Sequence, residues 1–256
     1  MRRPGAPRPD AILFDAGLTL LHSVTSAADM AAQVLHARGI DVPRVRVEAA
    51  LQHTDQHLER TWRQGDWWAS ELTVRELFVE AYQVGLRHLP RLSEPDEATE
   101  ALIAGLATEM YQAYADAVHW ALYPDVRPTF DRLRAAGILL GVVSDWGHGL
   151  EALVLELGLA DDLCFVVVSS RLGIAKPDPH VFELALSRIG VPAARALYVG
   201  DTYVKDVLGA RAAGIEPVLL DRGGSAPPSD CAVIGDLRAL LGLIGLEPQA
   251  RPDATL

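Results

Sequence analysis

Short, wholly apolar runs occur at residues 11–14, 137–143, 163–168, 196–199 and 217–220, each bounded by Gly, Pro or Asp. They show no polar alternation, so each predicts a strand buried on both faces. Residues 128–136, before the second run, and 178–189 and 203–213, between later runs, carry apolar positions at helical spacing. Gly137, Gly190 and Gly214 follow them, where a helix closes through a left-handed residue. Strands alternating with helices in this order predict a parallel, doubly wound sheet.

The hundred or so residues after the first run have a different pattern. Helical spacing recurs at 27–38, 45–62, 72–89 and 97–118, punctuated by Pro43, Gly65, Pro90 and Pro95, and no strand is expected before Pro124. The expected fold class is therefore α/β, a Rossmann-like parallel sheet core with an inserted all-helical domain. Residues 10–21 and 124–247 form the core, 22–123 the insertion, and 1–9 and 248–256 polar tails. An insertion at that point stands over the C-terminal edge of the sheet, where open α/β sheets bind ligands. Residues 20–25 and 123–126 are the expected hinges.

Composition narrows this picture. The 256 residues carry a net charge of −11 and no cluster of Lys or Arg, which excludes a general nucleic-acid surface. Two cysteines are too few for a disulfide framework, and Cys164, within an apolar run, is expected to be a buried small hydrophobe. The basic start of the chain is broken by prolines and then by Asp15, so neither a secretory segment nor a membrane span is expected, and a cytoplasmic protein is. Of 23 basic residues only Lys176 and Lys205 are lysines.

Four apolar runs end in polar residues of particular kinds. These are Asp15 in Phe14-Asp15-Ala16-Gly17-Leu18-Thr19, Ser144 in Val143-Ser144-Asp145-Trp146, Lys176 before Pro177, and Asp201 with Asp206 after Gly200. A doubly wound sheet brings such ends to one crevice. Three carboxylates, a hydroxyl and an ammonium gathered there suit a divalent cation and an anionic substrate. Asp15 and Asp201 with a backbone carbonyl match the few protein ligands Mg²⁺ takes. Asp15 would then attack phosphorus as a carboxylate nucleophile, with Lys176 and Ser144 holding the phosphoryl oxygens.

In this order and with this insertion, the residues from about 11 to 220 resemble the haloacid dehalogenase superfamily, in its branch with a helical cap after the first motif. The resemblance implies Asp15 as nucleophile and metal ligand, Ser144 and Asp145 at the phosphate, and Lys176 as the charge-stabilising lysine. It also implies Asp201 and the Gly17 carbonyl as magnesium ligands, with Thr19 and Asp206 behind them and a small phosphorylated metabolite as substrate. One position departs from the family: its phosphatases carry a second aspartate two residues after the nucleophile, as general acid and base, and here that position is Gly17. Such assistance is worth about 10²–10⁴-fold.

Three readings follow: a Mg²⁺-dependent phosphatase with Gly17 replacing the acid/base, a phosphate- and Mg²⁺-binding regulatory protein, or a 2-haloacid dehalogenase. The insertion has no lysine, which excludes the phosphonate-cleaving branch with its cap Schiff base. The Gly200-Asp201 pair favours the phosphatase. Asp145, His22 and His148 are the candidates to replace the missing acid.

Simpler roles compete for several residues. Ser144 can cap the following helix as well as bind phosphate. Lys205 is expected on an exposed helix face. His53 and His57, at i and i+4, read as a solvated face rather than a metal pair. Trp62, Trp67, Trp68 and Trp120 read as core, with Trp67 or Trp68 the candidates for a substrate pocket. Residues 94–100 read as an exposed helix start.

Overall fold

The computed structural model describes residues 7–62, 70–94, 96–147, 149–225 and 229–246. Six parallel strands form one sheet in the order β5-β4-β1-β6-β7-β8. They are β1 (Ala11–Phe14), β4 (Leu139–Ser144), β5 (Phe165–Val168), β6 (Ala196–Gly200), β7 (Glu216–Leu220) and β8 (Ala232–Ile234). The expected Rossmann-like α/β architecture is present. In β1 every side chain is buried, with Phe14 opposite Val142 of β4 on one side and Val199 of β6 on the other.

Alternation along β1 feeds two cores. Ile12 and Phe14 join Val126, Phe130, Leu150 and Leu240 on one face, whereas Leu13 joins Val143, Phe182 and Tyr198 on the other. The first face is covered by α5 (Val126–Ala135), α6 (Leu150–Glu156) and α10 (Arg238–Leu243). The second is covered by α8 (Pro179–Ser187) and α9 (Gly209–Ala212). Asp178 caps α8 by accepting the His180 amide at 3.0 Å, with Pro179 in its first turn. Gly137, Gly190 and Gly214 all have the positive φ their stop positions require.

The chain moves outward from β1 through β4 to β5, then returns to the other side of β1 as β6. The topological switch therefore lies between β1 and β6, and Asp15 and Asp201 follow the ends of these two strands.

The insertion comprises α1 (Ala27–Ala37), α2 (Arg44–Trp62), α3 (Glu71–Leu86) and α4 (Glu97–Ala113). They share a separate apolar cluster that includes Leu35, Val47, Leu86, Ile103 and Leu106. Ser26, Ser70 and Asp96 cap α1, α3 and α4. Glu97 and Glu100 lie in the first turn of α4, as expected for a helix start, and Glu100 pairs with Arg87 at 2.7 Å. None of the described helices is long and apolar enough to cross a membrane.

Four expectations change. The segment before Pro124 does contain strands: β2 (Leu21–Ser23) pairs antiparallel with β3 (Trp120–Leu122) as a ribbon at the base of the insertion. Three residues are too few for a period-2 signal, and β2 lies within the first expected hinge. The helix expected over 203–213 is a π-helix over Tyr203–Leu208 followed by α9. Cys164 is exposed because it precedes β5, and only its backbone pairs, donating to Leu140 O at 2.8 Å. His53 and His57 are half-buried: His53 stacks on His88 at 3.6 Å, and His57 Nε2 lies 3.4 Å from Glu80.

Asp125, buried beside the ribbon, holds this base to the core. It accepts Arg222 Nη1 at 2.9 Å, Arg222 Nη2 at 3.1 Å and the Leu237 amide at 2.7 Å. Arg222 also donates to Thr19 O at 2.8 Å and lies 3.7 Å over the Tyr123 ring. Asp125→Ala would strand a largely buried guanidinium and an amide. It is expected to lower the unfolding free energy by about 3–5 kcal/mol, read as a lower midpoint in urea denaturation.

Candidate active site

Asp15 follows β1 at the centre of the sheet, and its backbone N–H still donates to Val199 O at 2.9 Å, so the strand pairing aims it. Its Oδ1 accepts from Ser144 Oγ at 2.9 Å and from Lys176 Nζ at 2.6 Å. Ser144 is the last residue of β4; the next helix begins at Leu150 with Gly149 as its cap, so Ser144 serves Asp15 and caps no helix. Lys176 is buried and spends its other two donors on Asp206 Oδ1 at 2.7 Å and Tyr198 Oη at 3.1 Å.

Asp206 is held from both ends. Its Oδ1 takes Lys176 and lies 3.2 Å from the Tyr198 hydroxyl, and its Oδ2 takes the Thr202 amide at 2.8 Å. The π-helix after β6 makes this return possible, its wider turn swinging Asp206 back beneath Gly200. A Cβ on Gly200 would overlap the Asp206 carboxylate. Gly200→Ala is therefore expected to destabilise the fold by about 1–3 kcal/mol and to lower activity as Asp206 is pushed from Lys176. Thermal melts and initial rates on one preparation would check both effects.

Carboxylate oxygens of Asp15, Asp201 and Asp206 all lie within 4.8 Å of one another. Burial pushes the Asp15 carboxyl up to about 6; Lys176 pulls it down, while Asp206 and Asp201 add to the rise. Burial likewise raises Asp201, with Asp206 contributing. For Lys176 burial acts against the charge, yet Asp15, Tyr198 and Asp206 together hold its pKa well above the usual lysine value. The cluster thus has more negative charge than one ammonium offsets.

The other expected residues fall in different places. Asp145 Oδ1 accepts Ser169 Oγ at 2.6 Å and the Lys176 amide at 3.0 Å, and its Oδ2 lies 3.1 Å from Lys205 Nζ. Lys205 is consequently a half-buried partner of Asp145 rather than a solvated surface residue. Gly17 forms a bridge with Leu21. Thr19 is buried, its hydroxyl unpaired among the described residues and its carbonyl bound by Arg222. His22 turns to the Tyr123 ring, 4.7 Å away, and its Nδ1 lies 3.3 Å from Ser23 O. His148, Trp67, Trp68 and the Trp62 side chain lie outside the described residues.

A sequence model of the family described as haloacid dehalogenase-like hydrolase matches residues 9–214. The chain belongs to the haloacid dehalogenase-like hydrolases. It is 33% identical over 220 residues to the haloacid dehalogenase-like hydrolase domain-containing protein 3 of Danio rerio, covering 82% of this chain and 84% of that one. It is 31% identical over 218 residues to a glyceraldehyde 3-phosphate phosphatase of Methanopyrus kandleri, covering 83% and 84%. The crystal structure of a 2-haloacid dehalogenase from Pseudomonas syringae pv. Tomato DC3000 is similar at a TM-score of 0.63 and 25% identity, over 93% of this chain and 98% of that one.

In this haloacid dehalogenase-like hydrolase, two groups at the site escape a reading of patterns. Tyr198 reads as one more core residue of a buried strand, yet its hydroxyl donates to Val143 O at 2.8 Å and accepts Lys176. The available signal is that a buried phenol needs a partner. Trp146, two residues after Ser144, is buried against Gly17: a Cβ on Gly17 would lie 3.0 Å from Trp146 Cζ3. The ring fills the space next to the position where the family's second aspartate stands.

Proposed function

We propose that the protein is a Mg²⁺-dependent phosphatase of small phosphate monoesters that works through an aspartyl-phosphate on Asp15. The observation that carries this reading is the convergence of Ser144, Lys176, Asp201 and Asp206 on Asp15. The donor set suits a hard cation. Asp206 spends both oxygens on protein donors, whereas Asp15 Oδ2 and Asp201 remain for the ion, with the Gly17 carbonyl as a third ligand. When bound, Mg²⁺ supplies positive charge to the phosphoryl oxygens and neutralises the surplus of carboxylates.

Asp15 attacks phosphorus, and its Oδ1, fixed by Ser144 and Lys176, keeps one orientation for that attack. Lys176, its charge secured by Asp206, offsets the charge that develops on the phosphoryl oxygens. Tyr198 ties Lys176 to the sheet through Val143 O. The acidic trio favours this chemistry over halide displacement, which has no use for two further carboxylates beside the nucleophile. Residues 22–123 act as a cap over a core of 10–21 and 124–247. A cavity of about 570 Å³, lined by Met30, Tyr82 and Met110 of the insertion and by Gly17 and Trp146 of the core, supports that role.

Beryllium fluoride, a phosphoryl mimic that bonds to carboxylates, is expected to load Asp15 in the presence of Mg²⁺. ¹⁹F NMR should show a bound beryllofluoride signal that is lost on adding EDTA and absent from Asp15→Asn. A signal that persists in that variant, or no signal at all, contradicts the reading.

A further inference from the structure

The cavity beside Gly17, where a leaving group would depart, is aromatic and is lined by no carboxyl, imidazole or ammonium group among the described residues. Trp146 closes the space beside Gly17. Tyr114 packs on it at 5.5 Å between ring centroids, and Trp120 stands edge-on to it at 5.0 Å. These rings, with Met30 and Tyr82, wall the cavity of about 570 Å³, and no charged side chain among the described residues lines it. Its aliphatic hydroxyls are committed elsewhere: Ser23 donates towards Thr25 O and His119 O, Thr25 Oγ1 pairs with His119 Nδ1 at 3.0 Å, and Ser26 caps α1. The phenols of Tyr82 and Tyr114 also line the cavity, and the buried Trp146 indole N–H has no partner among the described residues.

Two of the candidate acids, Asp145 and His22, do not reach this space in a usable form. Asp145 is held by Ser169, the Lys176 amide and Lys205, and His22 lies on Tyr123. Tyr82 is pushed up to about 12 by burial, then by Asp55, and Tyr114 is raised by burial, Tyr82 and Asp15. Phenols shifted in that direction are poor proton donors near neutral pH.

A leaving group here must depart without a proton from a carboxyl, imidazole or ammonium group, and only phenol and indole groups face its own substituents. Serine or glyceraldehyde leaves as a strongly basic alkoxide, and its polar groups would be desolvated against Trp and Tyr rings. A phenol, with a pKa of about 10, leaves as a far weaker base, and its ring matches the wall. We propose that the substrates are phosphate monoesters of flat, apolar phenols, selected by the Trp146–Tyr114–Trp120 wall and by the lack of a carboxyl, imidazole or ammonium acid among the described residues beside Gly17. This rests on the proposed phosphoryl chemistry of Asp15. An Asp15 oxygen bonds to phosphorus as the bond from phosphorus to the aryl oxygen breaks, and the electron pair leaves with the phenolate, which takes a proton from water. Water then attacks phosphorus; the bond to Asp15 breaks with its pair returning to the carboxylate, and the water proton leaves with inorganic phosphate.

The test compares kcat/KM of the full chain with Mg²⁺ on substituted phenyl phosphates, 1-naphthyl phosphate, acetyl phosphate, glycerol 3-phosphate and phosphoserine. The aryl esters are expected to exceed both alkyl esters by at least about 100-fold and to quicken as the phenol is made more acidic. A smaller preference overturns the inference and leaves the Asp15 reading standing. Acetyl phosphate has an acidic leaving group and no ring, so it is expected to show a KM at least about tenfold above that of 1-naphthyl phosphate. A KM equal to or below the naphthyl value overturns the aromatic selection. Aryl turnover that survives Asp15→Asn overturns both readings.

Discussion

Asp15→Asn is expected to lower phosphate monoester turnover by at least about 10⁴-fold while the chain stays folded. The amide retains the shape of the carboxylate and still accepts from Ser144 and Lys176 through its oxygen, but it cannot bond to phosphorus as an anionic nucleophile. Initial rates beside far-ultraviolet circular dichroism separate loss of chemistry from loss of fold. The variant also carries a stability signature. The Asp15 carboxyl titrates at about 6 in the folded chain, against an ordinary value of 3.8. The folded state therefore binds this proton more tightly than the unfolded state does. Ionised Asp15 destabilises the fold, an effect absent well below pH 4 and complete above about pH 6. In EDTA the variant is expected to be the more stable protein at pH 7. The two proteins should converge as pH falls towards 4, as denaturant midpoints across that range would show. A wild-type chain more stable than the variant at pH 7 in EDTA would contradict this account.

That destabilisation is what a sheet edge built for chemistry should show. Asp15, Asp201 and Asp206 stand together against one ammonium, and the protein tolerates the repulsion because two apolar cores and the Asp125–Arg222 clamp hold the strand ends in place. Evenly paired charge at this point would be more stable and unable to recruit a cation.

The acidic half of the candidate site was legible because strand ends are legible. An apolar run stops where a polar residue appears, and in a parallel doubly wound sheet those stops share one edge, so Asp15, Ser144 and Asp201 could be placed together from pattern alone. Lys176 stood out through the scarcity of lysine. What pattern could not supply was anything assembled across distant segments. Trp146, Trp120 and Tyr114 belong to a strand end, a three-residue strand and a helix terminus, and no period connects them. Lys205 was misplaced for a local reason: the π-turn closes i to i+5 bonds and rotates side chains out of the 3.6-residue phase, bringing a residue expected in solvent to Asp145. The ribbon of β2 and β3 was hidden by its brevity and by the four helices between its strands.

The same wall governs how Gly17 can be changed. Gly17→Asp alone is expected to give little, because its Cβ already meets Trp146 Cζ3 at 3.0 Å and a carboxyl group extending further must displace a buried indole. Trp146→Ala alone opens that space but supplies no acid, so turnover of alkyl esters should stay low while the KM for aryl esters rises. The double variant Gly17→Asp/Trp146→Ala provides a carboxyl and room for it, and should raise kcat/KM on glycerol 3-phosphate by about 10²–10⁴-fold over wild type. The diagnostic quantity is the coupling: the gain must exceed the product of the two single effects, as expected when two residues contest one volume. If Gly17→Asp by itself reached the full gain, the indole would be a yielding neighbour and the wall would not select the leaving group. If the double variant stayed at the wild-type level, the side chain at position 17 would not reach the departing oxygen, and the missing acid would not be what limits alkyl esters.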